Sequence, residues 1–283
     1  MKFSEIKHKI KNLGNFKSLK EIKEAGLRIV RNTKTGDYWL IEENLGPKLI
    51  PLGSVAKIVT GIITGNNRKY YTKKQKPDYE PAFKTPTDHK KILLKREDAI
   101  WLIKTRNVPY KIRKAPILWV DIRRKKHVVY YNKDLLPFEH TFIGLIPDDP
   151  RDVEILVLIL NSTICWLNFE SLGRVSISGP IRMLQDEIAD FLIINPKIFK
   201  FYLYLSNKNF QKFFERNIET VFTELGFDPS KPIREQEPNP LPDRKALDDI
   251  VFDALGLTEE ERKEVYWAVA ELVKNRLEKA RSV

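Results

Sequence analysis

The chain has 283 residues, of which 42% are hydrophobic and 31% charged, with a formal net charge of +12. That mixture belongs to folded globular proteins and excludes a disordered chain, and the length suits one large domain or two ordinary ones. No apolar run reaches the roughly 18 residues of a membrane span, the charged N-terminus lacks a signal-peptide core, and a single cysteine, Cys165, excludes an internal disulfide and a paired-cysteine zinc site, so a cytoplasmic protein with a buried, inert thiol is expected.

The predicted elements begin with a basic helical stretch over residues 1–30, where Leu19, Ile22, Ala25 and Leu27 recur and Ser18 with Glu21 suits a capping box. Thr35-Gly36-Asp37 predicts a turn into a short strand over 38–41, broken by Gly46-Pro47. Residues 49–59 carry strand-type side chains, and Gly65-Asn66-Asn67 marks a turn because Gly and Asn tolerate positive φ. A lysine-rich surface loop is expected over 72–91. The runs 91–95, 99–104, 116–122, 127–131 and 141–146 then alternate with basic turns, and their β-branched and aromatic residues favour sheet. Residues 151–170 predict one buried helix, capped by Asp148 or Asp149 with Pro150 at its first position. A loop or edge strand, a helical turn, a strand ended by Pro196 and an amphipathic helix over 197–226 follow.

Prolines 229, 232, 238, 240 and 242 make 227–243 a linker or extended crossover. Gly256 then closes one helix, and Thr258 with Glu261 caps a second. In that last helix a stripe of Val265, Ala268, Val269, Leu272 and Leu277 is expected to pack on the main domain. The expected class is α+β: a mixed or antiparallel sheet flanked by helices, with a C-terminal helical pair. The expected units are a helical and linker segment over 1–45, a main domain over 46–226, and a Pro-rich linker with a helical hairpin over 227–283.

Positive charge is confined to the first half. Residues 1–65 carry +6 and residues 66–134 carry +13, against −3 over 135–185 and −4 over 186–283. Such asymmetry is the footprint of a nucleic-acid surface. The plainer alternative is a solvated lysine face, since abundant Lys and Glu with scarce Gln is a bias of heat-adapted proteins.

Catalytic patterns are missing from the sequence. No G-x-G turn joins a strand to a helix. Asn107-Val108-Pro109-Tyr110 is the nearest approach to a proline-stiffened loop for a flipped adenine, and it lacks the second-position proline. Glu5-Ile6-Lys7 and Glu21-Ile22-Lys23 have no acid placed before them for metal-dependent cleavage. His8, His89, His127 and His140 show no ligand spacing. Binding remains. Over 61–71, Gly61 and Gly65 allow close backbone approach. Asn66, Asn67, Arg68 and Lys69 offer phosphate and base contacts, and Tyr70 and Tyr71 offer faces for sugars or bases. Arg123-Arg124-Lys125-Lys126, at an expected hairpin tip, adds a second basic cluster.

The segment Leu52-Gly53 through Tyr70-Tyr71 resembles the opening of the target recognition domains of TaqI-like and Eco57I-like N6-adenine DNA methyltransferases. The family loop reads R-G-I-x-T-G-x-N-x-x-[FY]. Gly61, Ile62, Thr64, Gly65, Asn67 and Tyr70 or Tyr71 match it, and Thr60 stands where the family often has Arg. Further on, Leu158-Ile159-Leu160-Asn161-Ser162 with Trp166 resembles the family's L-L-N-S helix, and Gly173-Arg174-x-Ser176 its G-R-x-x stretch. The resemblance extends over roughly residues 45–283. It implies a DNA-binding specificity module of a restriction-modification system that grips duplex DNA opposite a methyltransferase domain. The loop 64–71 and the stretch holding Arg174, Ser176 and Ser178 would approach base edges. No catalytic centre or cofactor is expected on this chain; S-adenosylmethionine would sit on a methyltransferase or endonuclease partner. A half-size type I specificity subunit and an RNA-binding protein are the alternatives.

Overall fold

A computed structural model describes residues 8, 15–25, 27–31, 38–42, 46–105, 108–206 and 208–280. The Thr35-Gly36-Asp37 turn, Glu5-Ile6-Lys7 and Asn107 lie outside them. The Ser18 hydroxyl accepts the Glu21 amide at 3.2 Å and opens helix α1 (Leu19–Glu24). That helix is shorter than its pattern predicts. Leu27–Arg31 is strand β1, antiparallel to β2 (Tyr38–Glu42), in keeping with the β-branched Ile29 and Val30.

The chain continues through β3 (Leu49–Pro51), β4 (Ala56–Thr60) and the single turn α2 (Asn67–Tyr70). Strands β5 (Tyr71–Thr72), β6 (Tyr79–Ala82), β7 (Ile100–Ile103), β8 (Ile117–Val120), β9 (Ile122–Arg123), β10 (Val129–Tyr131) and β11 (Phe142–Pro147) follow. The order β10-β8-β11-β4 makes a central antiparallel sheet, and β5-β7-β6 a smaller one beside it. Trp119, Ile117, Val129 and Leu145 of the central sheet are fully buried in the main core. The expected strand over 91–95 makes only isolated bridges, Lys91 with Asn217 and Leu93 with Tyr131.

Residues 151–170 form two helices, not one: α3 (Val153–Leu160) and α4 (Thr163–Leu172), bent by 71°. The cause is the pair Asn161-Ser162. The Asn161 side chain donates to Val129 O and Val157 O at 2.8 Å and accepts the Val129 amide at 3.0 Å. Ser162 then restarts the helix by accepting the Cys165 amide. The Asn-Ser signature is thus a bracket between sheet and helix. Cys165 is buried, and burial pushes its thiol up to about 12.

Next come β12 (Arg174–Val175), β13 (Ile181–Arg182), α5 (Gln185–Ala189), β14 (Leu192–Ile194) and α6 (Pro196–Ser206). The helix expected over 197–226 is broken into α6, α7 (Gln211–Glu215) and α8 (Val221–Leu225), with Thr220 capping the last. Helices α9 (Pro242–Leu255) and α10 (Glu259–Lys279) close the fold, the latter with its Thr258–Glu261 capping box formed. Leu247, Ile250 and Val251 of α9 share the main core with α3. In α10 the buried stripe is Val265, Tyr266, Val269, Ala270 and Val273, while Leu272 is exposed. The proline-bearing crossover is packed: Ile233 is buried, and Trp267 Nε1 donates to Gln236 O at 2.8 Å. Among the described residues no single helix is long and apolar enough to cross a membrane.

Buried charge ties these last helices together. Arg216 donates two 2.7 Å bonds to Glu224, which also accepts Arg244 Nε at 3.2 Å. Glu224 and Arg244 are both fully buried. Burial works to raise the Glu224 carboxyl, but the Arg216 hydrogen bonds and the Arg244 charge outweigh it and hold it at about 2.

Candidate nucleic-acid interface

The segment after β4 is stitched to the turn before β11. Ile62 N donates to Phe138 O at 2.8 Å, and His140 N donates to Ile62 O at 3.1 Å. A Cβ on Gly61 would overlap the Glu139 carbonyl, so the close approach requires glycine there. Beyond it the turn is built from its own side chains. The Thr64 hydroxyl donates to Asn67 Oδ1 at 2.6 Å, and Asn67 Nδ2 donates to the buried Glu139 Oε1 at 3.1 Å. Asn66 Oδ1 accepts the Lys69 amide at 3.1 Å and caps α2. Gly65 sits at φ +71 facing open space.

These bonds sort the predicted residues. Thr64 and Asn67 shape the turn. Tyr71 is buried, and burial pushes its hydroxyl far above its usual range, with the Glu139 charge adding to the effect. Tyr70 packs edge-on against Tyr110 with ring centroids 5.3 Å apart. Gly65, Asn66, Arg68 and Lys69 are exposed at the turn's outer edge, and Lys69 Nζ lies 5.3 Å over the Tyr70 ring.

A groove of about 530 Å³ runs beside this segment, lined by Thr60, Gly61, Ile63, Tyr110, Lys111, Arg113 and Gln185 among others. The Thr60 hydroxyl donates to Gln185 Oε1 at 2.5 Å, which fastens the first turn of α5 to the end of β4. Lys111, Arg113 and Gln185 escaped sequence reading. Their one signal is the clustering of cations between two strand-like runs.

The basic cluster at 123–126 divides. Arg123 is buried and cannot reach a phosphate, which corrects the expectation of four surface cations. Its guanidinium lies 4.4 Å from the centre of the Trp119 ring and 4.1 Å from that of Phe169, and bonds Val120 O and the His127 ring. Burial lowers its pKa to about 9 against the opposing charge of Glu170. Burial, with the Arg123 charge adding to it, likewise keeps His127 well below the usual histidine range. Lys126 donates to Ile218 O at 2.6 Å. Arg124 and Lys125 are exposed.

The hairpin of β12 and β13 adds to β9 in a small three-stranded sheet. Its turn carries Ser176, Ile177 and Ser178, all exposed, with Ile177 at 80%. Arg276 of α10 clasps its base: it pairs with Glu170 at 2.9 Å and donates to Gly179 O and to Arg124 O. This places Arg124 beside the hairpin. Met183 N, just past β13, donates to Asp121 O, and Gln185 follows two residues later, so hairpin and groove lie along one stretch of surface.

Arg174 and Arg182 of the hairpin pair with Glu187 and Asp121, while other exposed cations of the basic half lack acidic partners. Among the described residues, Arg68, Lys73, Lys74, Lys111, Arg113, Arg124 and Lys125 have no carboxylate within 4.0 Å. Desolvation of the weakly paired face is avoided only while it stays in water or meets an external anion.

No protein-family profile matches the chain, and no curated protein matches it by sequence. Among solved structures it is similar to the type IIG restriction endonuclease BpuSI, with a TM-score of 0.57 and 10% sequence identity over 82% of this chain. The chain spans 31% of the length of that protein. At this identity the likeness is one of fold.

Proposed function

We propose that this chain is a DNA target-recognition module that reads duplex sequence for an N6-adenine methyltransferase of a restriction-modification system. The observation that carries the reading is the set of exposed, unpaired cations between residues 68 and 125, with Lys111 and Arg113 in the groove and Arg124 beside the hairpin. A basic half that keeps seven such exposed cations without carboxylates suits a polyanion. The fold likeness to part of a restriction endonuclease supports the restriction-modification setting, and the sequence resemblance supports the adenine-methylating branch. Lys111, Arg113 and Arg124 contact phosphates in this reading, and the outer edge of the 64–71 turn, Arg68 included, faces the bases with the hairpin tip. Catalysis and S-adenosylmethionine belong to a partner chain or domain.

The test is fluorescence anisotropy on duplex DNA across a salt series. Binding should weaken linearly in log–log form, with a slope near −0.9 per phosphate contact. Salt-independent binding, no binding, or preference for RNA over duplex DNA of the same length would sink the proposal.

A further inference from the structure

The resemblance points to Arg174, but the hairpin sets a second arginine beside it. In the register of β12, β13 and β9, Arg174 stands opposite Arg182, and Arg182 opposite Ile122. Residues directly opposite in a ladder project to one face, and here that face is open: the two arginine side chains are 67% and 56% exposed and Ile122 is 50% exposed. The other face carries the buried Ile181 and Arg123.

Two like charges directly opposite repel, and each arginine is held by a carboxylate. Arg174 Nε and Nη2 both bond Glu187 Oε1, at 2.8 and 2.6 Å. Arg182 Nη2 lies 3.2 Å from Asp121 Oδ2. Glu187 is itself fixed by accepting the Leu184 amide at 2.7 Å, and Asp121 is largely buried. A guanidinium has five N–H donors in a rigid fork. Glu187 takes Nε and Nη2 of Arg174 and Asp121 takes Nη2 of Arg182, which leaves on each fork Nη1 and the second N–H of Nη2. That pair matches the two acceptors, O6 and N7, that guanine presents in the major groove.

We propose that Arg174 and Arg182 read guanines in duplex DNA through these free forks, with Glu187 and Asp121 as positioning residues. The proposal rests on the DNA-binding reading above and adds a base identity to it. Exposed arginines that are already oriented lose little rotamer freedom on binding, which favours base reading over loose phosphate contact.

The experiment is selection of duplexes from a randomised pool by the full chain and by Arg174→Ala, Arg182→Ala and Asp121→Asn, followed by sequencing. The wild type should enrich guanine at fixed positions. Each arginine variant should make one of them degenerate, with a loss of about 5- to 100-fold on the wild-type consensus and an unchanged salt slope. Asp121→Asn should relax the same position as Arg182→Ala, and thermal unfolding of all three should match wild type. In wild type, 7-deazaguanine at that position, which removes N7, should reproduce most of the loss, and it should cost the matching arginine variant nothing further. Unchanged guanines in the variant selections overturn the proposal, as does a uniform loss on all sequences with a shallower salt slope, which would make these arginines phosphate contacts. Duplex binding without any enriched base overturns it and leaves the DNA-binding reading intact. Absence of duplex binding removes both.

Discussion

Two regions of this molecule use cations differently. From residue 57 to residue 125, Arg68, Lys73, Lys74, Lys111, Arg113, Arg124 and Lys125 face solvent without carboxylates, and Lys95, Lys104 and Lys114 pair only at 3.8 Å. From residue 216 to residue 276, Arg216, Arg234, Lys245, Arg262, Lys263 and Arg276 all sit in ion pairs. The second set is paired throughout, at the surface for Arg234, Lys245 and Lys263 and in buried bonds that brace helices for Arg216 and Arg276. The first set pays a cost in self-repulsion that folding alone does not repay. The contrast separates scaffold from contact surface more sharply than net charge does.

The strongest way to test the scaffold half is Glu224→Gln. It leaves Arg244 buried with its charge unmatched, so a loss of about 3–5 kcal/mol in urea unfolding is expected, with no change in the salt slope of whatever DNA binding the folded fraction retains. Asp248 comes next. It is fully buried, and burial lifts its carboxyl to about 6 from the ordinary 3.8 against the Arg244 charge and two Thr163 hydrogen bonds. Its folded state therefore favours the proton. The stability it contributes is present below pH 3.8 and is lost as pH rises through about 6. Asp248→Asn should flatten that part of the stability profile. Glu224 runs the other way, contributing above pH 4.5 and losing its contribution as pH falls toward 2. Opposite slopes in the two regions of pH, read by thermal melts, check both signs.

The contact half predicts the converse. Lys111→Ala with Arg113→Ala should reduce the salt slope by roughly 2 and weaken duplex binding, while stability stays within about 0.5 kcal/mol of wild type. A large loss of stability in that double variant would erase the distinction between the regions. The smallest effect is expected from Thr60→Arg, which adds a cation at the groove floor where Thr60 now bonds Gln185. It should steepen the salt slope by about 1.

Local rules carried the sequence a fair distance. The capping box at Thr258 formed as read, and at Ser18 the cap formed while Glu21 accepts the Lys17 amide in place of the Ser18 amide, because capping depends on neighbours three or four residues apart. The turn at Gly65-Asn66-Asn67 formed for the same reason. Longer patterns failed where a side chain acts at a distance. The helix over 151–170 is broken by Asn161, whose partner Val129 is 32 residues away. Arg123 read as a surface cation because its three basic neighbours are exposed, yet it occupies an aromatic slot made by Trp119 and Phe169 from two other elements. Lys111, Arg113 and Gln185 form one groove only because β4 and α5 meet through Thr60, a contact no spacing rule encodes. Arg182 was missed since its role depends on strand register with Arg174.

The Arg276 clasp makes the hairpin and the terminal helix one inheritable part. Its bonds to Gly179 O, Glu170 and Arg124 O reach 97, 106 and 152 positions back along the chain. A hairpin transplanted from a relative without the matching end of α10 would lose its footing, so new sequence preferences on this scaffold should arise by changes at the tip residues Ser176, Ile177 and Ser178 far more readily than by exchange of the whole loop.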